Sequence, residues 1–359
     1  YRPEAMEKAT AVADVNAFLA LRLTGRLVTA TASADPLGLL DMASGQWQPE
    51  LVQAAGLRPE QMPELVPPGS KMGRLREDVA RQIGLPSGLP LLAGAGDGQA
   101  MGLGMGVVDE GKSYLSLGSG IVGGTYSQNY VNSDAFRTLV SPSGGFMLET
   151  VLRSGMQLVE WIVRTTGGRP VAGLEAEARV VAPGSGNLLV LPYWAGVMSP
   201  YWDEAARGAI FGLSLDHTPA HLFRAALEGM AFEQALATEA LEEGCGRSGG
   251  AIVAAGGGTQ SALLMEIMTS ALERPIAISP VNEAAALGAA MLAAAGLGWH
   301  ADIAAASLAM SAQATRNVEP TAELVAAYRA RKPIYQTLYH ATRRSEEHTS
   351  ELQSRQYLV

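Results

Sequence analysis

Asp97 stands among six glycines in the stretch "LLAGAGDGQAMGLGMG", residues 91–106. Its immediate neighbours are glycines, which offer no partner charge, so the carboxylate is free to meet a ligand. A carboxylate beside a substrate hydroxyl can accept its proton while that oxygen attacks a phosphorus atom. Aspartate next to glycine also builds Asx-turns and caps, and the residues alone leave both roles open. Gly-rich turns follow apolar runs at residues 94–99 ("GAGDGQ"), 118–124 ("GSGIVGG") and 256–261 ("GGGTQS"). Glycine lets backbone N–H groups approach an anion closely, and a helix N-terminus beyond it adds a favourable dipole. Together the turns suggest a polyphosphate ligand; singly, each is also explained as a tight turn with no ligand.

The turns differ in what surrounds them. "AIVAAGGGTQSALLMEIM" runs a strand of small apolar residues into Gly256, Gly257 and Gly258 and then a helix, with Thr259 or Ser261 placed to cap it or to offer a hydroxyl to a nucleotide. Gly118, Gly120 and Gly123 formally satisfy G-x-G-x-x-G. A dinucleotide-binding turn needs a helix directly afterwards, whereas "GGTYSQNYVNSD" is turn-forming and β-like, so a phosphate held by Gly118, Ser119 and Gly120 between hairpin strands fits better. His217 and His221 are spaced i,i+4 but lack the glutamate and third ligand of a zinc protease motif, and no nucleophile elbow is present.

The elements that position these residues read as an α/β fold. Residues 14–24 have helical spacing with Gly25 at C′, "REDVARQIGL" is helical, and "GLPLLAGAGD" has the pattern of a buried, parallel-type strand carrying Asp97 at its carboxyl end. "KSYLSLGSGIVGGTY" predicts a hairpin. Helices follow in "LRSGMQLVEWIVRTT", from about Pro219 to Glu243, in "QSALLMEIMTSALE" and after Asn282, with strands in "GNLLVLPYW", "AIVAAGGG" and "PIAISP". The natural boundary lies near residues 107–112, "VVDEG".

Composition narrows the function classes. With 359 residues, 48% hydrophobic and 17% charged, burial is ample and a disordered chain is excluded. A net charge of −9 and a pI near 5.2 argue against a nucleic-acid partner. No apolar run approaches the roughly 20 residues of a membrane span. The single cysteine, Cys245, forms no internal disulfide and suits a reduced, cytoplasmic setting.

Taken together, the motifs resemble the FGGY family of carbohydrate kinases, nearest in texture to its xylulokinase-like members. "GAIFGLSLDHTPAHLFRAALE", residues 208–228, is similar to the family's second signature, with Gly208, Ile210, Gly212, Leu213, His221, Leu222, Ala225, Ala226, Leu227 and Glu228 in order. "AGDGQAMGLGMG" resembles the loop bearing the catalytic base, "YLSLGSG" the second phosphate turn, "GGGTQSALLMEIMTSALERPI" the adenosine segment, and "NEAAALGAAMLAAAGLG" the helix after it. "LRLTGR", Asp41 and Trp47 resemble the later part of the first domain, so the likeness runs from about residue 14 to 340.

The resemblance implies a two-domain actin-like (ribonuclease H-like) ATPase fold with its first domain incomplete: residues 1–107 as the end of the sugar-binding domain, 108–343 as the nucleotide-binding domain, and 344–359 as a non-native tail. The tail stretch "RSEEHTSELQS" resembles a translated sequencing adapter. It implies a cytoplasmic kinase using ATP and Mg²⁺ that phosphorylates a ketopentose or related sugar or polyol, without nucleic acid or membrane, and leaves a homodimer open. Asp97 would be the general base and Gln99 would reach the sugar, although in several members the residue directly after the acid does so, and here that is Gly98. Gly118, Ser119 and Gly120 would lie against the phosphates, with Gly155 nearby, and Gly256, Gly257, Gly258 and Ser261 at the nucleotide. The family's opening Asp-x-Gly-Thr turn is not in this sequence, so the isolated chain is expected to be inactive. "WAGVMSPYWD" has Gly196, Val197 and Met198 where xylulokinases commonly carry Gly-Glu-Arg, so the identity of the sugar does not carry over. The competing readings are an NAD-dependent oxidoreductase built on the 118–124 turn and a non-catalytic actin-like sugar-binding protein.

Overall fold

The computed structural model describes residues 8–248 and 250–356, with side chains as far as Arg343. The proposed tail, residues 344–359, therefore lies outside the described side chains, and only its backbone as far as Gln356 is described.

Helix α1 (Val15–Thr24) is capped by Asp14, whose Oδ1 accepts from Ala17 N at 2.6 Å, and closed by Gly25 at φ +82°. Strand β1 (Val28–Ala30), fully buried, pairs in parallel with β2 (Glu64–Val66). The sequence gives no sign of this pair, because strands of three residues are too short for period-2 alternation to register. Strand β3 (Lys71–Arg74), helix α2 (Glu77–Ile83) and strand β4 (Pro90–Leu92) follow. The expectation of a buried parallel-type strand ending in Asp97 is overturned on both counts. β4 is half-buried and antiparallel to β3, and Asp97 is the first residue of helix α3 (Asp97–Gly104).

The rest of the fold is organised by one seven-stranded sheet. Its strands are β5 (Lys112–Leu117), β6 (Ile121–Ser127), β7 (Arg137–Val140), β8 (Phe146–Leu152), β11 (Ala251–Ala255), β12 (Ile276–Ile278) and β13 (Arg316–Val318), in the order β13-β12-β11-β5-β6-β8-β7. β9 (Leu189–Leu191) and β10 (Ala209–Phe211) form a separate pair. β11 runs parallel to both β5 and β12, and β5 with β6 is the expected antiparallel hairpin.

Alternation along the strands assigns the two faces of the sheet. Leu115, Leu117, Ile121 and Leu152 pack into the larger core with Met230, Phe232, Leu264 and Met268 from α6 (Pro219–Cys245) and α7 (Ala262–Leu272). Here α4 (Met156–Thr165) and α5 (Val171–Arg179) also lie, between β8 and β9. Tyr114, Met147 and Ala255 face the other way, toward Met101 and Met105 at α3 and Ala284 of α8 (Ala284–Gly296). Helix α9 (Ile303–Met310) packs on α8, and α10 (Ala322–Gln356) is the last described helix.

The glycines of α3 are contact surfaces. A Cβ on Gly102 would lie 2.8 Å from Met147 Cε, and one on Gly104 would lie 2.0 Å from the carbonyl oxygen of Ala284. A Cβ on Gly288 of α8 would lie 1.8 Å from the carbonyl oxygen of Ala100. The two backbones touch, which only glycine allows. Helix α3 is thereby pressed between α8 and the sheet, with its first residue, Asp97, exposed.

Candidate functional site

Parallel pairing of β5 with β11 brings their carboxyl ends together, and with them two of the predicted turns. Leu117 ends β5 immediately before Gly118; a Cβ on Gly256 would lie 2.8 Å from its carbonyl oxygen, and one on Gly258 2.8 Å from its Cβ. Gly256 has φ +98°, a conformation that L side chains rarely adopt. The third stretch joins from the end of β8: Gly155 N donates to Ser119 O at 2.8 Å and Met156 N to Gly118 O at 3.0 Å. A Cβ on Gly155 would lie 2.7 Å from the carbonyl carbon of Gly120, and one on Gly120 2.9 Å from Leu152 O. Gly118, Ser119, Gly120, Gly155, Gly256 and Gly258 thus form one backbone-lined corner, and Gly257 at its rim has nothing within 4 Å of its Cβ direction.

Ser261 is the N-cap of α7, its Oγ accepting from Leu264 N at 3.1 Å, while Thr259 Oγ1 donates to Gly256 O at 2.8 Å. Beside Gly155 opens a groove of about 310 Å³ lined by Ser154, Gln157, Glu160, Trp161, Arg164 and Trp194. After Gly124 the chain continues as β6 and no helix begins, so the dinucleotide-binding turn that supports an oxidoreductase is absent.

Asp97 approaches from the other face of the sheet. Helix α3 runs from a first turn beside Glu149 of β8 to a middle beside Tyr114 and Met147. Along β8, position 149 lies nearer than 147 to the end that carries the glycine corner, so the Asp97 end of the helix points that way. Tyr114 is three residues from Leu117, which at strand rise is roughly 10 Å. Asp97 Oδ1 accepts from Gly98 N at 2.9 Å, a contact within the first turn of its own helix, and the residue is exposed. The glycine stretch at 94–99 is no anion cradle: a Cβ on Gly96 would lie 2.3 Å from Gln99 Oε1, and one on Gly98 2.1 Å from Glu149 Oε2.

Gln99 is placed differently from its expected sugar contact. It is 2% exposed, and its Nε2 donates to Ala32 O at 2.9 Å and to the Asp35 carboxylate at 3.2 and 3.3 Å. Asp35 Oδ2 also accepts from Val140 N at 2.5 Å, tying the first hundred residues to the end of β7. Next to it Arg137 Nε donates to Glu149 Oε1 at 2.7 Å, and Tyr114 Oη donates to Glu149 Oε2 at 2.6 Å. Burial first, and the Glu149 charge second, push the Tyr114 phenol well up, which keeps it a donor. Sequence reasoning missed this network. Its one signal was Glu149, a charged residue inside the apolar strand text "FMLETVL".

Burial pushes the Asp35 carboxyl up to about 7, against the opposing pull of the Val140 N–H, Gln99 and Arg137. The folded chain keeps this proton at pH values where an unfolded carboxyl, titrating near 3.8, has lost it, so stability falls as pH rises between the two. Glu233 adds to the same trend: burial raises it to about 7 despite hydrogen bonds from Tyr193 and Tyr335. Thermal melting is expected to occur at lower temperature at about pH 8 than at about pH 5, and Asp35→Asn should flatten that fall. An identical slope in the variant would show that Asp35 ionises as freely folded as unfolded.

His217 and His221 stand at the start of α6, where His221 Nδ1 meets Thr218 Oγ1 at 2.9 Å. Among the described residues no three His, Cys, Asp or Glu side chains gather to hold a metal, and no helix is long and apolar enough to cross a membrane. Cys245 is a half-buried free thiol at the end of α6.

Comparison with known proteins agrees with this architecture. Residues 113–297 match the C-terminal domain model of the FGGY family of carbohydrate kinases, and residues 1–104 its N-terminal domain model. The chain is 27% identical over 344 residues to a xylulose kinase of Lactococcus lactis, covering 95% of this chain and 68% of that protein. It is 31% identical over 330 residues to an autoinducer-2 kinase of Klebsiella pneumoniae, covering 85% of this chain and 60% of that one. It thus spans 60 to 68% of the length of these two relatives. Among solved structures, a ligand-bound xylulose kinase from Lactobacillus acidophilus superposes with a TM-score of 0.90 at 24% identity, covering 97% of this chain and 71% of that one. A kinase from Brucella ovis, described as a xyloylose kinase, gives 0.86 at 28% identity, with 95% and 70% covered.

Proposed function

Because this chain belongs to the FGGY family of carbohydrate kinases and has that family's two-domain, actin-like α/β fold, we propose that it serves the transfer of the γ-phosphoryl group of ATP to a hydroxyl of a ketopentose or related sugar or polyol. Asp97 is the general base of this reading. The observation that carries it is the direction of α3: its exposed Asp97 end points toward the carboxyl ends of the central strands β5 and β11, where the turns at 118–120, 155 and 256–258 meet.

In this reading Gly118, Ser119 and Gly120 hold phosphate oxygens, and Gly155, Gly256, Gly257, Gly258 and Ser261 border the nucleoside. Tight backbone packing beneath the turns keeps them preorganised, which favours charge developing on the transferred group. Asp97 orients the sugar hydroxyl and accepts its proton. The sugar oxygen then bonds to the γ-phosphorus while the bond from that phosphorus to the bridging oxygen of ADP breaks. Among the described residues no side chains gather into a cage for Mg²⁺; the ion would travel on the phosphates, and the steps assigned here to the protein are positioning and proton acceptance. Gln99 is given a supporting role, anchoring the first turn of α3 through Asp35 and Ala32.

The test is ADP release by the full-length gene product with ATP and a panel that includes xylulose, ribulose, glycerol and arabitol. Phosphorylation of a ketopentose or polyol is expected, and NAD is expected to leave the product spectrum unchanged. ATP binding without turnover of any member of the panel would overturn the substrate class.

A further inference from the structure

Glu149 is fully buried, at 0% exposure, and a buried carboxylate needs compensation on every side. Arg137 and Tyr114 provide it on two sides. On a third side lies neither a cation nor a hydroxyl but the first turn of α3, where the Glu149 carboxylate occupies the space a side chain at position 98 would need: Cβ to Oε2 would be 2.1 Å and to Cδ 3.1 Å. The N-terminal turn of a helix carries partial positive charge, so an anion held against it is attracted to that turn. The residue it presses on is the one directly after Asp97.

We propose that Glu149, held by Arg137 and Tyr114, is a positioning residue for Asp97: it fixes the first turn of α3 and so the direction of the carboxylate that turn carries. The proposal rests on Asp97 being the base. It also explains Gly98, since any side chain there would expel the Glu149 carboxylate from its bonds. Asp97 belongs to the region matched by the N-terminal family model, while Tyr114, Arg137 and Glu149 belong to the region matched by the C-terminal one. Placement of the base is thereby tied to the half of the protein that carries the nucleotide turns. Asp35 approaches the same cluster from the first half, and its bonds to Gln99 and Val140 N brace the same turn of α3.

The experiment is steady-state kinetics of the full-length gene product with ATP and the sugar turned over fastest in the panel, alongside thermal melting. Glu149→Gln keeps the shape and an acceptor for Tyr114 but removes the charge that Arg137 and the helix turn meet. Its kcat is expected to fall at least tenfold, with KM for ATP within about twofold of the parent and the fold retained. Gly98→Ala, which displaces the carboxylate without altering it, should give the same split, and Tyr114→Phe a smaller loss in kcat. Parent-like kcat in Glu149→Gln overturns the proposal, as does a loss that only tracks the fraction unfolded. If Glu149→Gln does not fold, Gly98→Ala and Tyr114→Phe decide by the same criterion. Asp97→Asn is run in parallel: turnover there removes the base itself, whereas an inactive Asp97→Asn beside a parent-like Glu149→Gln removes only the positioning role.

Discussion

Asp97→Asn in the full-length gene product should lower sugar phosphorylation by about 10³-fold, within the usual range for loss of a general base, while ATP binding stays as in the parent. The substitution is informative because it separates the two roles an aspartate can have at this position. As a cap, Asp97 accepts one hydrogen bond from Gly98 N, and an asparagine oxygen can accept the same bond. What it loses structurally is the attraction of a full charge to the helix N-terminus, about 0.3–1 kcal/mol at an exposed site. A pure cap therefore predicts a small shift in melting temperature and near-parental turnover. A base predicts the same small shift with turnover nearly gone. Melting curves, ATP titration by calorimetry and ADP release distinguish the two, and turnover within tenfold of the parent would return Asp97 to the cap.

The same residue shows how far the sequence could be read. Elements of ten residues or more with a consistent period were legible, among them α1, α6 and α8, and so was the hairpin around Gly118, because Gly-Ser-Gly between β-like runs has few other uses. The family likeness was carried by long ordered strings such as residues 208–228. Pairings between short, distant strands were not legible: β1 meets β2 across more than thirty residues of chain, and β4 turned out antiparallel because nothing in three apolar residues specifies direction. The glycines around Asp97 were read for their freedom of backbone, which Gly256 does use at φ +98°, whereas Gly98, Gly102 and Gly104 serve close packing in an ordinary helix. Composition cannot separate these two uses, since both ask only for the absence of a Cβ. The Tyr114–Glu149–Arg137 cluster was hidden for a related reason: its members come from three different strands, and only the sheet brings them together.

Packing glycines also yield the largest expected effect on stability. Gly288→Ala places a methyl group 1.8 Å from the carbonyl oxygen of Ala100, a backbone atom that cannot rotate away. Alanine gains up to about 1 kcal/mol over glycine in a helix interior, but accommodating it means forcing α8 away from α3 and losing contacts along the whole seam. Overpacking costs about 1–3 kcal/mol, and a clash with a backbone atom stands at the upper end, so the clash outweighs the propensity and the melting temperature should drop by several degrees. The reference change is Gly173→Ala in α5, also in a helix but with nothing within 4 Å of its Cβ direction, where propensity acts alone and a slight rise is expected. Because α3 carries Asp97 at its outer end, any Gly288→Ala protein that still folds should show a lower kcat as well, since the added methyl presses on Ala100, one turn along α3 from the exposed carboxylate. Equal melting temperatures for the parent and Gly288→Ala would mean that the two helices lie farther apart than their glycines require, and the account of how α3 is held would fail with that result.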